Sequence, residues 1–273
     1  MLLLCLLLAQ LPATAQKKAD DYFSEAGKYY EAGDFGKAAS VFQYTANHFP
    51  KSKLHPLALY NSGIAYKNDG QDEKAIEVFT TIIKGNYNDM DKVGGNIMDD
   101  PYANYKHNSC ELMSNIYFAR GEYAKALEYF TLSDTTYPYN HFCGNELQDN
   151  EIHKVLHYAD IYEKMGDEKR MLKALLQGIF LNNDEILNKT EPLIEKQKNA
   201  RALFDTALKK IYVGKPHPAP YDKLYNCYYI KYLDTEIFIG NESVNGEKFN
   251  TAEEIESIKL SKFYRNILKA YLD

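Results

Sequence analysis

Apolar positions repeat with a helical period along most of the chain and predict four pairs of helices between residues 19 and 183. Each pair carries the same ordered set: a small residue, an aromatic residue, glycine, a second small residue and a bulky apolar residue. The spacings within each set are 3, 4, 5 and 4 positions, with Met171 replacing the second small residue in the last set. The sets are Ala26, Tyr29, Gly33, Ala38, Phe42; Gly63, Tyr66, Gly70, Ala75, Phe79; Ser114, Tyr117, Gly121, Ala126, Phe130; and Ala159, Tyr162, Gly166, Met171, Leu175.

Each position in the set has a physical role in a helical hairpin. The small residues predict close approach of the two helices, and the aromatic and bulky residues fill the space around that contact. The glycine predicts the end of the first helix, because glycine adopts a left-handed backbone at no steric cost. Asp34 and Asp167 follow two of the glycines and are predicted to cap the second helix.

This pattern resembles the tetratricopeptide repeat, a pair of antiparallel helices in about 34 residues. Pro50 and Pro138 stand where that family places a proline at the end of a repeat. The resemblance implies an all-α fold, a right-handed α-α superhelix of about four helix pairs. The repeats are predicted at residues 19–52, 56–84, 107–138 and 152–183. The resemblance also implies that the protein is a non-enzymatic scaffold that binds proteins.

In tetratricopeptide repeat proteins the first helix of each pair lines a concave groove, and this implies a set of partner-binding residues. They are Phe23, Tyr30, Tyr60, Asn61, Lys67, Asn115, Phe118, His153, His157 and Asp160. Chaperone-binding relatives hold a terminal carboxylate with two lysines and two asparagines, but Phe23 and Gly27 stand at two of those positions here. The mixture of aromatic and amide groups instead favours an extended or helical protein segment as the ligand.

The spacing between the signature glycines marks further segments. The larger distance between Gly70 and Gly121 predicts an insertion at residues 85–106, and a connector precedes the fourth repeat. After residue 184 the signature ends, and residues 192–213 are predicted to form one or two helices. Residues 214–220 (GKPHPAP) should interrupt helical structure.

The last segment is predicted to be helical as well. Five tyrosines follow one helical face, and a final helix is expected to begin with a capping box of Thr251 and Glu254. The tyrosines are Tyr221, Tyr225, Tyr228, Tyr229 and Tyr232, and the apolar side of the final helix is Leu260, Phe263, Tyr264, Ile267 and Leu268. We interpret residues 184–273 as atypical helical hairpins that cover the open end of the stack; a separate helical domain is the alternative.

The beginning of the chain predicts an export signal. Residues 2–11 (LLLCLLLAQL) are almost wholly apolar, and Ala13-Thr14-Ala15 follows as a small-x-small cleavage pattern. Cleavage is expected after Ala15, and the run is too short for a permanent membrane span. Lipidation at Cys5 and an N-terminal core helix are the alternatives.

A second resemblance concerns the join between the first two repeats. Residues 49–66 (FPKSKLHPLALYNSGIAY) resemble the corresponding join in tetratricopeptide proteins of the Gram-negative envelope, over roughly residues 20–85. Those relatives bind protein partners and contribute no catalytic residues. The resemblance implies a periplasmic protein, with outer-membrane association as an option.

Charge and motifs narrow the function further. The formal net charge is -6 at pH 7. Nucleic acids and anionic membranes attract basic surfaces, so neither is expected as a partner. The chain has no nucleophile elbow, Walker loop, dinucleotide fingerprint or HExxH motif, and no cofactor is expected. The alternative function is an accessory subunit or enzyme with its activity in the C-terminal region, around His217.

One set of residues raises the question of calcium binding. Within the insertion, Asp89, Asp91, Gly94 and Asp100 match part of a calcium-loop pattern, but Val93 occupies a ligand position and a polar surface loop is preferred.

The cysteines allow three interpretations. Cys110 and Cys143 should lie at the same end of the third helix pair, so a disulfide between them is one prediction for an oxidising compartment. Two buried free thiols are a second, and a zinc site that adds His107 and His141 is the third.

Overall fold

The computed structural model describes residues 18–92, 102–140, 144–214, 225–243, 246 and 248–268. The chain divides into two compact units between Asn88 and Asp89, inside the predicted insertion. Each unit is described by itself below.

The first unit consists of two helical hairpins. Its helices are α1 (Ala19–Glu31), α2 (Phe35–His48), α3 (His55–Asn68) and α4 (Asp72–Lys84). Each helix packs against the next one along the chain, so the second hairpin lies on the first. These helices lie at the positions predicted for the first two repeats.

The second unit combines helices with a small sheet. Its helices are α5 (Tyr105–Ala119), α6 (Tyr123–Thr135), α7 (Gly144–Lys164), α8 (Glu168–Gln177), α9 (Asp184–Ile194), α10 (Ala200–Leu208) and α11 (Thr251–Leu260), followed by a π-helical turn (Phe263–Ile267). Its strands are β1 (Tyr212–Gly214), β2 (Tyr225–Tyr232) and β3 (Thr235–Ser243). The α5–α6 hairpin lies where the third repeat was predicted, whereas α7 begins at Gly144, inside the connector that was predicted before residue 152.

The signature glycines end the first helix of every pair in the same way. Gly33, Gly70, Gly121 and Gly166 have φ values of 77°, 73°, 75° and 70°. The N–H of the residue after each glycine donates to the carbonyl of the signature tyrosine, at 2.8–2.9 Å, which is a Schellman motif. This confirms the predicted role of the glycines, and the predicted caps Asp34 and Asp167 accept the N–H groups of Lys37 and Arg170.

A sixth recurring position was missed in the sequence. A basic side chain lies over the ring of each signature tyrosine, at 4.9–5.6 Å from the ring centroid. These side chains are Lys37, Lys74, Lys125 and Arg170, each four residues after the signature glycine. The cation is attracted to the electron-rich face of the ring, which adds to the packing between the two helices. The repeat therefore fixes the second helix against the first by charge as well as by packing.

The close approach predicted for the small residues is also present. Ala26 and Ala159 are fully buried. At Gly63, an added Cβ would lie 2.6 Å from Cε1 of Phe79. That ring occupies the space which a larger residue at position 63 would require.

The tyrosine-rich segment is a strand, so the prediction of a helix there was wrong. Tyr225, Tyr228, Tyr229 and Tyr232 all lie in β2, and Tyr221 lies outside the described residues. The sheet order is β1-β2-β3, with both pairs antiparallel. The all-α fold class therefore describes most of the chain but not this part of it.

The hairpin has a physical reason in the sequence. Around the turn, alternate residues are buried against the helices: Ile230, Tyr232, Ile237 and Ile239. The two turn residues, Leu233 and Asp234, have φ values of 46° and 60°, the geometry that matches the twist of a two-residue hairpin. The spacing of the tyrosines resembles that of a helical face because they lie on both faces of the strand.

The final helix also differs from its prediction. Asn250 is the N-cap residue, with a side chain that accepts the N–H groups of Ala252 and Glu253, so the capping box at Thr251 was wrong. The chain leaves the α-helix at Ser261 and forms the π-helical turn. Leu260 consequently remains 61% exposed rather than joining the apolar side.

The C-terminal segment shares its core with the fourth helix pair. One cluster of buried apolar residues extends from Val155 in α7 through α8, α9 and α10 to the sheet and Leu268. The described part of residues 184–268 thus packs into the same unit as α5–α8. None of the described helices is long and apolar enough to span a membrane.

Candidate functional site

In the first unit, five predicted binding residues lie on α1 and α3. Phe23, Tyr30, Tyr60, Asn61 and Lys67 are all half-buried, so each presents part of its side chain to solvent. The two helices, α1 and α3, are the first helices of adjacent hairpins.

Several of these side chains also take part in packing. The Phe23 ring meets Phe42 edge-on at 5.2 Å between centroids, and Tyr60 lies 6.3 Å from Phe79. Asn68 donates a hydrogen bond from Nδ2 to Oη of Tyr30 at 2.8 Å, which joins α3 to α1. The rings are therefore held in place by the hairpins while remaining partly open.

In the second unit, α5 and α7 bring together four of the predicted residues and one that was not predicted. We call this set the α5–α7 face: Glu111, Asn115, Phe118, His153 and His157. Asn115 is exposed, and the Phe118 and His157 rings lie 6.0 Å apart. The His153 and His157 rings stack at 5.7 Å, one helical turn apart on α7. The face combines aromatic surface with polar groups.

Glu111 is the charged centre of this face. Its Oε1 lies 3.3 Å from Nε2 of His153 and 3.6 Å from Nε2 of His107. The hydrogen bond with Glu111 raises the pKa of His153, although burial opposes the shift. Burial alone would raise the pKa of Glu111, but the hydrogen bond from His153 and the charges of the nearby histidines hold it below its usual value. Glu111 lies one turn before Asn115, and that spacing was the sequence signal that could have found it.

The pKa of His157 is shifted in the opposite direction from that of His153. Its Nε2 lies 3.0 Å from Oγ of Ser114, and that hydroxyl donates its own proton to the carbonyl of Ala126 at 2.9 Å. Nε2 must therefore be the donor to Ser114. Burial and the charge of His153 lower the pKa of His157 to about 4, so the ring is neutral at pH 7. Nδ1 is then a hydrogen-bond acceptor.

Asp160 is engaged within the protein. Its Oδ1 lies 2.9 Å from Nζ of Lys189 on α9, and the same ammonium group lies 3.0 Å from Glu163. Asp160 thus ties α7 to α9. Like His153, Asp160 therefore already has a charged partner on another helix.

Asp89, the first residue of the calcium-loop pattern, has a structural role. Asp89 accepts the N–H groups of Lys106 and His107 at 2.7 and 3.0 Å, and so caps the start of α5. Gly94 and Asp100 lie outside the described residues. Both oxygens of Asp89 are occupied by backbone donors.

The cysteine alternatives concern the same end of α5. Cys110 is buried, and burial raises the pKa of its thiol to about 12. Cys143 and His141 lie outside the described residues, so the disulfide stays a prediction. Nδ1 of His107 donates to the carbonyls of Ser133 and Tyr137.

The metal and enzyme alternatives gain no support from the described part of the chain. Within it, no three His, Cys, Asp or Glu side chains are grouped as metal ligands. His217, on which the enzyme alternative was centred, lies outside that part.

One comparison with known proteins gives a match. The family model for the tetratricopeptide repeat matches residues 57–84, which comprise most of α3 and all of α4. Neither the curated proteins nor the solved structures compared with the chain give a match.

Proposed function

We propose that this chain, a tetratricopeptide repeat protein, is an exported scaffold that holds a segment of a partner protein on its first helices. Proteins of this family are typically interaction modules without catalytic activity, which supports a role in protein–protein interaction. The observation that carries the proposal is the α5–α7 face, where two first helices present rings and hydrogen-bonding groups side by side.

The chemistry of this face suits a protein segment. The Phe118 ring is half-buried and can stack on an apolar side chain, while the exposed amide of Asn115 can donate to and accept from a backbone. Nδ1 of the neutral His157 adds an acceptor beside the Phe118 ring. In the first unit, Tyr60 and Asn61 offer the same pair of chemistries on α3.

We expect Tyr60→Ala and Phe118→Ala each to weaken partner binding by roughly 1–3 kcal/mol, the usual range for aromatic anchors at an interface. That corresponds to about a 5- to 150-fold loss of affinity. The wild-type chain would be used as bait in an envelope extract of its host, and the captured protein would then be titrated against each variant. Both variants should retain the wild-type melting temperature, because both rings are partly exposed.

Tyr44→Ala is the matched control, since Tyr44 is an aromatic residue of a second helix and is 40% exposed. It should bind as the wild type does. Unchanged affinity in Tyr60→Ala and Phe118→Ala, or equal loss in Tyr44→Ala, would place the partner elsewhere.

We also propose that the protein acts in the periplasm, after removal of residues 1–15. Support comes from the apolar run and the small-x-small pattern at Ala13 and Ala15. Envelope tetratricopeptide proteins, which the first repeats resemble, act in that compartment.

Mature protein isolated from its host should therefore begin at Gln16, as determined by N-terminal sequencing or intact mass. An N-terminus that still carries Met1 would contradict export. A diacylglycerol modification at Cys5 would instead support the lipoprotein alternative.

A further inference from the structure

A shallow pocket of about 420 Å³ lies between α8, the end of α9 and the β2–β3 turn. Its apolar lining comes from Leu172, Leu193 and Leu233. Three lysines also line it, and we call it the lysine pocket: Lys169 and Lys173 on α8, and Lys196 just after α9. It consists of residues that the α5–α7 face does not use.

The lysine charges are only partly balanced. Nζ of Lys196 lies 2.6 Å from Oε1 of Glu168, which satisfies that ammonium group. For Lys169 and Lys173, the described residues place no carboxylate within 4.0 Å of either ammonium group, although Glu168 and Asp234 also line the pocket and the charge of Lys169 acts on nearby Asp167. The two lysines are one helical turn apart, a spacing at which like charges repel each other. An anionic group between them would relieve this repulsion.

The lysine pair is specific to the fourth repeat. The corresponding positions, three and seven residues after the signature glycine, carry neutral or acidic residues in the other repeats. They are Gly36 and Ser40, Glu73 and Glu77, and Ala124 and Glu128. The whole chain has a formal net charge of -6, so this local excess of positive charge runs against the composition of the rest of the molecule.

We propose that the lysine pocket is a second docking site, which binds an acidic segment of a partner protein. An apolar side chain of that segment would lie on the three leucines, and flanking carboxylates would accept hydrogen bonds from Lys169 and Lys173. Charge complementarity favours this ligand, because a neutral or basic segment would leave the positive charges of Lys169 and Lys173 without a partner in the pocket.

The test uses the peptide Glu-Glu-Leu-Glu-Glu-amide with fluorescein on its N-terminus, titrated with the mature protein by fluorescence anisotropy at low and high salt. We expect saturable binding that weakens with salt. The double variant Lys169→Glu/Lys173→Glu should lower the affinity by at least about tenfold, and Lys169→Gln/Lys173→Gln should lower it less. The melting temperatures of both variants should match the wild type, since Lys169 is exposed and Lys173 half-buried.

The control variant Lys209→Glu/Lys210→Glu makes the same change in net charge at two exposed lysines of the same unit. It should leave peptide affinity within about twofold of wild type. Equal loss in the control would show that the peptide senses only the overall charge. Absence of binding, or equal binding of Gln-Gln-Leu-Gln-Gln-amide with the same N-terminal fluorescein, would also overturn the proposal.

Discussion

Phe204→Ala should reduce the free energy of unfolding by about 3–5 kcal/mol, the usual cost of removing a fully buried aromatic side chain. Phe204 is fully buried and meets the Tyr232 and Phe263 rings at 5.0 and 5.4 Å between centroids. It therefore joins α10, the sheet and the π-helical turn. Urea denaturation followed by circular dichroism measures the effect.

The neighbouring Leu203 supplies the control, because its side chain is 46% exposed. Leu203→Ala should change stability by less than about 1 kcal/mol. Because the C-terminal segment shares one core with α7 and α8, the loss in Phe204→Ala should appear in the unfolding of those helices as well. If hydrogen exchange showed α7 and α8 at wild-type protection, the C-terminal segment would be an independent domain.

Acid should destabilise the protein through His157. The pKa of His157 is about 4 in the folded chain, against about 6.5 for an unperturbed histidine. Folding therefore favours the neutral ring, and this stabilisation is complete above pH 6.5 and is lost as the pH falls toward 4. Between pH 7.5 and 4.5 the wild type should lose about 2 kcal/mol relative to His157→Gln.

His153 should act in the opposite direction, because its pKa is raised by Glu111. Its contribution is present below the unfolded pKa and is lost as the pH rises through the folded value. The measurement is denaturant titration at the two pH values for the wild type, His157→Gln and, as an exposed control, His48→Gln. If His157→Gln showed the same pH dependence as the wild type, the neutral buried state of His157 would be wrong.

The repeat architecture was predictable because its determinants are local. A glycine with positive φ, a small residue at the helix contact and an aromatic residue one turn before the glycine form one motif, and each recurs at a fixed spacing. The basic residue that lies over the signature tyrosine obeys the same rule. Lys37, Lys74, Lys125 and Arg170 could have been found in the sequence by extending the comparison four residues beyond each glycine.

The C-terminal sheet was not predictable from the same kind of pattern. Tyr225, Tyr228, Tyr229 and Tyr232 have helical spacing, yet tyrosine also favours strands, and both strand faces can accommodate it. The turn at Leu233 and Asp234 lacks the Asn-Gly or Asp-Gly signal of such hairpins. Tertiary packing decided the outcome, since Ile230 and Ile237 are both fully buried.

The candidate site was predictable as a set of positions but not as an electrostatic arrangement. Family resemblance predicted that His153 and His157 line the groove of the fourth repeat, and their role in binding is a proposal. The hydrogen bond with Glu111 raises the pKa of His153, whereas burial lowers the pKa of His157 and Ser114 fixes its tautomer. Glu111 and Ser114 come from another helix pair. Such contacts have no signature in the spacing of a single repeat.

Site-specific photo-crosslinking in the native host tests the central proposal, that the partner binds on the first helices, most directly. A benzophenone side chain would replace Asn115, which is exposed on α5, or Glu128, which is exposed on α6 of the same hairpin. We expect a discrete adduct with another protein from position 115 and none from position 128. An adduct from position 128 alone, or no adduct from position 115, would contradict binding on the first helices.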